Sequence, residues 1–137
     1  MIPKPGKRAK KPRRAIRKKA KRKAKLHDAD RLFSQYIRGR DGWACIRCGS
    51  PFSPQCAHLV SRRYRATRWT PENATTLCQK CHLKYTYDPL AWESFCEERW
   101  PGRLGLMKAM ARTGGVKHDF DELCASLRAA IGLQGER

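Results

Sequence analysis

Two CxxC units, Cys45-Ile46-Arg47-Cys48 and Cys78-Gln79-Lys80-Cys81, stand 29 residues apart in this chain. The bend of one unit lets both of its thiolates reach a single ion. Two units complete a tetrahedral four-cysteine site of the kind that holds structural zinc. The separation is longer than in compact zinc fingers, so further structure has to be inserted between the two knuckles. A redox CxxC needs a βαβ setting, and the flanking sequence lacks one. Zinc supplies on the order of 10–16 kcal/mol to the folding of small modules, a decisive amount for a chain of 137 residues. The other cysteines, Cys56, Cys96 and Cys124, read as small core hydrophobes. The total of 7 is odd, and no apolar stretch resembles a leader or a membrane span. A secreted disulfide framework and export are therefore not expected, and a reducing cytoplasm, or a eukaryotic nucleus, is.

Charge divides the chain. Lys and Arg number 31 against 12 Asp and Glu, a formal net charge of +19, so the expected partner is a polyanion. Residues 1–27 hold 14 of the basic residues and no acid, whereas residues 28–137 carry a net charge of only +5. With Pro3, Pro5 and Pro12 and almost no large apolar side chain, the first segment reads as a disordered basic tail. Its composition fits a grip on nucleic acid backbone and a nuclear-import signal equally well. Residues 28–137 are left for the fold.

Within that part, Ala29, Leu32, Phe33, Tyr36 and Ile37 have helical spacing, predicting an amphipathic helix over 28–40 that stops near Gly39. Between Trp43 and Thr76 the pattern is short, irregular and rich in Gly, Pro and Ser, with a strand expected over 55–61. A helix over 77–87 follows. Asp88-Pro89 then caps another, running to about Arg99. Shorter helices are expected over 104–112 and, behind Asp119, through Phe120, Leu123, Cys124, Leu127 and Ile131.

The stretch between the knuckles carries the chemistry. Gln55-Cys56-Ala57-His58-Leu59-Val60 sets a His in the expected strand, Pro71-Glu72-Asn73-Ala74 places an Asn in a turn, and His82 follows Cys81 directly. The order His58, Asn73, His82 inside CxxC…CxxCH resembles the HNH endonuclease family, from Arg40-Asp41-Gly42 through His82. A weaker similarity to phage HNH and NinG-like recombination nucleases extends over 28–131. The resemblance implies a small α+β fold, with a ββα-metal core and its four-cysteine structural zinc at about 41–87. An N-terminal helix and a C-terminal helical part over 88–133 would flank that core.

Phosphodiester hydrolysis needs a nucleophilic water and neutralisation of phosphate charge. The resemblance implies His58 as general base, a task suited to a neutral imidazole, and Asn73 as the residue holding it in orientation. It implies His82 as ligand to a catalytic Mg²⁺ or Mn²⁺, with His58 a further candidate ligand, and products with 5′-phosphate and 3′-hydroxyl ends. It also implies a phage or prophage protein in the cytoplasm of a bacterial host, acting on duplex or branched DNA in recombination or packaging. A monomer would nick, and a homodimer would cut both strands. Two positions depart from the family pattern: Ala57 stands where Asp or His often precedes the base, and Thr86 where a second helix ligand often follows. These favour an alternative, a non-catalytic zinc-stabilised DNA-binding protein; a third reading is an interaction protein whose tail binds RNA or an acidic partner.

Ser61-Arg62-Arg63-Tyr64-Arg65-Ala66-Thr67-Arg68-Trp69 concentrates four Arg and two aromatics. Arg62, Arg63, Arg65 and Arg68 read as phosphate contacts, joined by tail residues such as Lys18, Lys19, Lys21 and Arg22. Tyr64 and Trp69 can stack on bases or close the core, the latter being the preferred reading of Trp69.

Overall fold

The computed structural model describes residues 12–135. The chain runs α1 (Arg13–Arg40), β1 (Pro54–His58), a 3-10 turn at Pro71–Asn73, β2 (Ala74–Cys78), α2 (Gln79–Tyr87), α3 (Pro89–Arg99), α4 (Arg103–Arg112) and α5 (Phe120–Gly135). It is a small α+β fold, in which five helices surround a two-stranded antiparallel sheet. None of the described helices is long and apolar enough to cross a membrane.

The first helix is longer than its apolar periodicity predicts. It begins at Arg13 rather than near residue 28, so residues 13–27, expected to be part of a disordered tail, are helical. Residues 1–11 of that expected tail lie outside the described residues. Two physical facts account for the extension. Between Pro12 and Arg38 every residue is compatible with a helix, Ala, Lys and Arg dominating the first half. The costly nucleus is supplied by the packed second half, after which each further turn propagates cheaply. Pro12, which has no N–H to contribute, marks the start, and its carbonyl accepts from Ala15 N at 2.9 Å. The far end falls at Arg40, as the sequence predicts, and the turn beyond it is made by Gly42, left-handed (φ 68°), with Trp43 N–H returning to Arg38 O at 2.7 Å.

Ala29, Leu32, Phe33 and Ile37 form the buried stripe of α1 and pack on Phe120, Cys124 and Leu127 of α5, with Trp69 and Ala74 completing this core. Trp69 is thus a core residue, its ring edge-on to Phe120. In the sheet, Pro54 pairs with Cys78 and His58 with Ala74. β1 ends at His58 rather than Ser61: Leu59 N–H still bonds Asn73 O (2.7 Å), but the main chain of Val60 turns to the Asn73 side chain. All five residues of β2 are buried, and Leu77 and Cys78 close that strand instead of opening the next helix. α3 starts as its capping pair predicts, with Asp88 Oδ1 accepting from Ala91 N at 3.0 Å. Its aromatic side chains, Trp92 and Phe95, stack with Tyr85 of α2 beside the cysteine-rich core.

The end of α1 is tied to β2 by two adjacent residues. Arg40 donates to Pro71 O (2.8 Å) and Ala74 O (2.9 Å), while Asp41 Oδ2 accepts from Thr76 N (2.8 Å). Ile37, fully buried one turn earlier, carries the apolar share of this junction. Ile37→Ala should cost about 2–5 kcal/mol in urea unfolding.

Candidate active site

The two CxxC units meet as the spacing requires. Cys45 and Cys48 come from the loop after α1, Cys78 from the last position of β2 and Cys81 from the first turn of α2. Their four Sγ atoms all lie within 4.8 Å of one another, and Cys48 Sγ to Cys78 Sγ is 3.7 Å. Tetrahedral Zn–S arms of about 2.3 Å put sulfurs about 3.8 Å apart, so the donor set is clustered as a zinc site. Burial opposes thiolate formation at Cys45 and Cys81. At Cys45, backbone N–H groups of Cys78, Cys48 and Arg47 outweigh it and bring the thiol down to about 7, whereas burial leaves Cys81 at about 12. Arg47 Nη1 donates to Cys81 Sγ at 3.5 Å, which supports negative charge there. Zinc bound at such a cluster displaces the remaining thiol protons.

His58 from β1 and His82 from α2 line one cavity of about 450 Å³, with Asp30, Phe33, Ser34, Cys56 and Arg62. Each imidazole has one nitrogen committed to the scaffold. His58 Nε2 lies 3.0 Å from Arg68 O, and a carbonyl can only accept, so Nε2 carries the proton and Nδ1 keeps its lone pair. His82 Nδ1 donates to Gln55 Oε1 at 2.7 Å, which leaves its Nε2 uncommitted. Burial lowers the pKa of both rings. At His58, Arg62 pushes the same way, while the Arg68 carbonyl and Asp30 partly oppose it. Both imidazoles are therefore neutral at pH 7. Burial raises the thiol of Cys56 to about 12, so it has no thiolate character in this cavity.

Asn73 does not reach the cavity. It is fully buried, its Oδ1 accepting from Val60 N (2.8 Å) and its Nδ2 donating to Val60 O and Thr67 O (both 3.0 Å). It thus clasps the 59–70 loop, whose Arg68 carbonyl holds His58. Asn73→Ala would strand three backbone groups, each at about 1–3 kcal/mol. Marked destabilisation in thermal or urea unfolding is the expected outcome.

The two positions that depart from the resembled pattern line a second cavity together with His58 and His82, but neither offers an uncommitted ligand atom. Ala57 is buried in the core beside Cys45, Leu77 and Tyr85, and the Thr86 hydroxyl donates back to His82 O at 2.8 Å. Among the loop arginines, Arg62, Arg63 and Arg65 are exposed, and Arg63 stacks on Tyr64, 4.7 Å from its ring centre. Arg68 is different. Read from sequence as a phosphate contact, it turns inward, its Nε and Nη2 on the Asp30 carboxylate at 2.9 and 2.5 Å. A carboxylate 38 positions earlier satisfies it, a pairing that no local spacing signals. Asp30 and Gln55 are the site residues missed in the sequence: Asp30 stands in no motif, and Gln55, although in the stretch that holds His58, carries no signal that it meets His82. Lys18, Lys19, Lys21 and Arg22 are exposed on the first half of α1, far along the chain from the loop but on the helix that walls the cavity.

Residues 45–88 match the family model described as HNH endonuclease. No match was found among curated proteins or among solved structures. The matched segment contains the four cysteines, His58, Asn73 and His82, and it points to nuclease or DNA-binding function. Zinc at the cluster has a direct check: the protein should carry one zinc per chain by elemental analysis. Cys78→Ser, or exhaustive chelation, should abolish the cooperative unfolding transition.

Proposed function

We propose that the protein is a metal-dependent DNA endonuclease of the HNH type, hydrolysing phosphodiester bonds. The observation that carries this reading is the pair of neutral imidazoles on one cavity wall, each with one nitrogen tied to the scaffold and the other free. His58 accepts the proton of the attacking water at Nδ1 while Nε2 stays on the Arg68 carbonyl, which holds the tautomer through the proton transfer. His82 offers Nε2 to a divalent cation such as Mg²⁺ or Mn²⁺, with His58 a further candidate ligand. One imidazole is a sparse protein ligand set, and it suits an ion that keeps waters and takes phosphate oxygens. When bound, the cation supplies charge neutralisation at the phosphate and the leaving oxygen. Asn73 acts one step removed, through the loop that positions Arg68 O.

Arg62 at the cavity rim, with Arg63 and Arg65 beside it, supplies phosphate contacts. The first half of α1 extends that surface, with nine Lys or Arg and no acid over 13–25. The substrate is duplex or branched DNA. The sequence resemblance favours a phage or prophage setting in a bacterial cytoplasm, in recombination or packaging.

The test incubates the protein and His58→Ala with supercoiled plasmid and a branched junction in Mg²⁺, Mn²⁺ or EDTA. Divalent-dependent cutting should fall at least about 10²-fold in the variant. Because burial holds His58 below the ordinary histidine value, the acid limb of activity should lie lower than that of an unperturbed histidine, which a pH–rate profile checks. A second reading, a zinc-stabilised DNA-binding protein without catalysis, is favoured by Ala57 and by the committed hydroxyl of Thr86. Equal DNA binding by both proteins, with no cutting in any metal, would select it.

A further inference from the structure

The geometry points to Asp30, on α1 and outside the segment that matches the HNH family, as the positioning residue for His58. This rests on the nuclease reading for its kinetic consequence, but not for its structural one. His58 is oriented by a main-chain carbonyl, and a carbonyl on a loop is only as fixed as the loop. Arg68 is the residue that presents this carbonyl, and its side chain is gripped by Asp30 at two points, Nε to Oδ1 at 2.9 Å and Nη2 to Oδ2 at 2.5 Å. The next residue joins the same carboxylate, Trp69 Nε1 donating to Oδ1 at 3.0 Å. Consecutive residues on either side of the functional peptide are thus anchored to one acid on a helix that belongs to the core.

Three details separate this from an incidental surface ion pair. Both partners are largely shielded, with side-chain exposures of 15% for Arg68 and 22% for Asp30, and the pair is the bidentate fork that resists rotation. The Arg68 fork also reaches Arg62 O at 3.2 Å, so the same guanidinium braces the start of the arginine-rich loop. Finally, Asp30 sits on a rigid support: Ala29 beside it is fully buried, and Leu32 and Phe33 of the next turn are in the main core. Phe33 itself lies against the His58 ring, centroids 5.8 Å apart. The order of support is therefore α1 core, Asp30, Arg68, Arg68 carbonyl, His58 Nε2–H. Groups that orient a functional histidine by hydrogen bonding are typically worth about 10- to 100-fold in function, and Asp30 acts on that group at one remove, through Arg68.

The carboxylate is not expected to bind the catalytic ion. Its two oxygens already accept three donors, and among the described residues the only cluster able to gather three or more metal-ligating side chains is that of the four cysteines.

The experiment compares wild type, Asp30→Ala and Asp30→Asn. Two readouts are taken, single-turnover cleavage of plasmid in Mn²⁺ and nitrogen NMR of the histidine rings. Asp30→Ala should lower kcat about 10- to 100-fold, change KM for DNA less than about threefold, and convert His58 from one Nε2–H tautomer to a mixture. Asp30→Asn keeps the Oδ1 acceptor for Arg68 Nε and Trp69 Nε1, and should recover part of the rate and the single tautomer. Arg68→Lys, which keeps the charge and loses the fork, should behave like Asp30→Ala and serves if that variant does not fold. An unchanged tautomer in Asp30→Ala and Arg68→Lys overturns the inference, as does a loss in KM alone. If wild type itself does not cut, the nuclease reading fails, and the tautomer readout still decides the role of Asp30.

Discussion

Four sulfurs drawn to one point tie together the two ends of the segment between the CxxC units, and the geometry of the candidate site hangs from that tie. Closing such a loop costs entropy that grows only slowly with its length, so the insertion between the knuckles is long enough to hold a strand, a loop and a turn. The closure also fixes directions. Cys78 ends β2 and Cys81 lies in the first turn of α2, so His82 leaves the cluster on a helix whose start the sulfurs fix. β2 in turn sets the register of β1, which places His58 opposite Ala74. The two imidazoles reach the same cavity because one cluster anchors both elements.

A segment of 44 residues with a two-stranded sheet cannot bury both faces of that sheet by itself. The rest of the chain supplies what is missing. α1 and α5 cover one side through Phe33, Ile37, Phe120 and Leu127, and α3 packs Trp92 and Phe95 on the other. α1 does more than cover. Arg40 and Asp41 fasten it to β2, Asp30 fastens it to the 59–70 loop, and Phe33 lies against His58. Its first half projects an almost wholly basic surface, whose like charges repel one another unless a polyanion neutralises them. One helix therefore joins this basic surface to the support of the proposed general base.

The parts of this arrangement that were legible in the chain were those encoded at short range. The four cysteines have a spacing suited to a shared ion, and their sulfurs gather as that spacing predicts. The caps at Asp88 and Asp119 act within three residues, as their side-chain bonds to Ala91 N and to Asp121 and Glu122 N show. The same locality explains the errors. A reading of charge density made residues 13–27 disordered, yet helix propagates from a packed nucleus into any compatible sequence. Arg68 looked like its three neighbours in a basic loop. Its partner is 38 residues away, and only folding makes the two adjacent.

By itself the sequence determined the class of chemistry: a four-sulfur cluster, two histidines and an asparagine in order, and a basic excess that seeks phosphate. These depend on residue type and near spacing, which survive in a linear string. The tertiary structure decided which nitrogen of each imidazole is free, which arginine is internal, and that a carboxylate on α1 belongs to the site. Those outcomes rest on hydrogen bonds between groups distant in sequence, such as His58 to Arg68 O and Arg68 to Asp30. Their geometry exists only once the core has brought α1, the sheet and the loop within bonding distance.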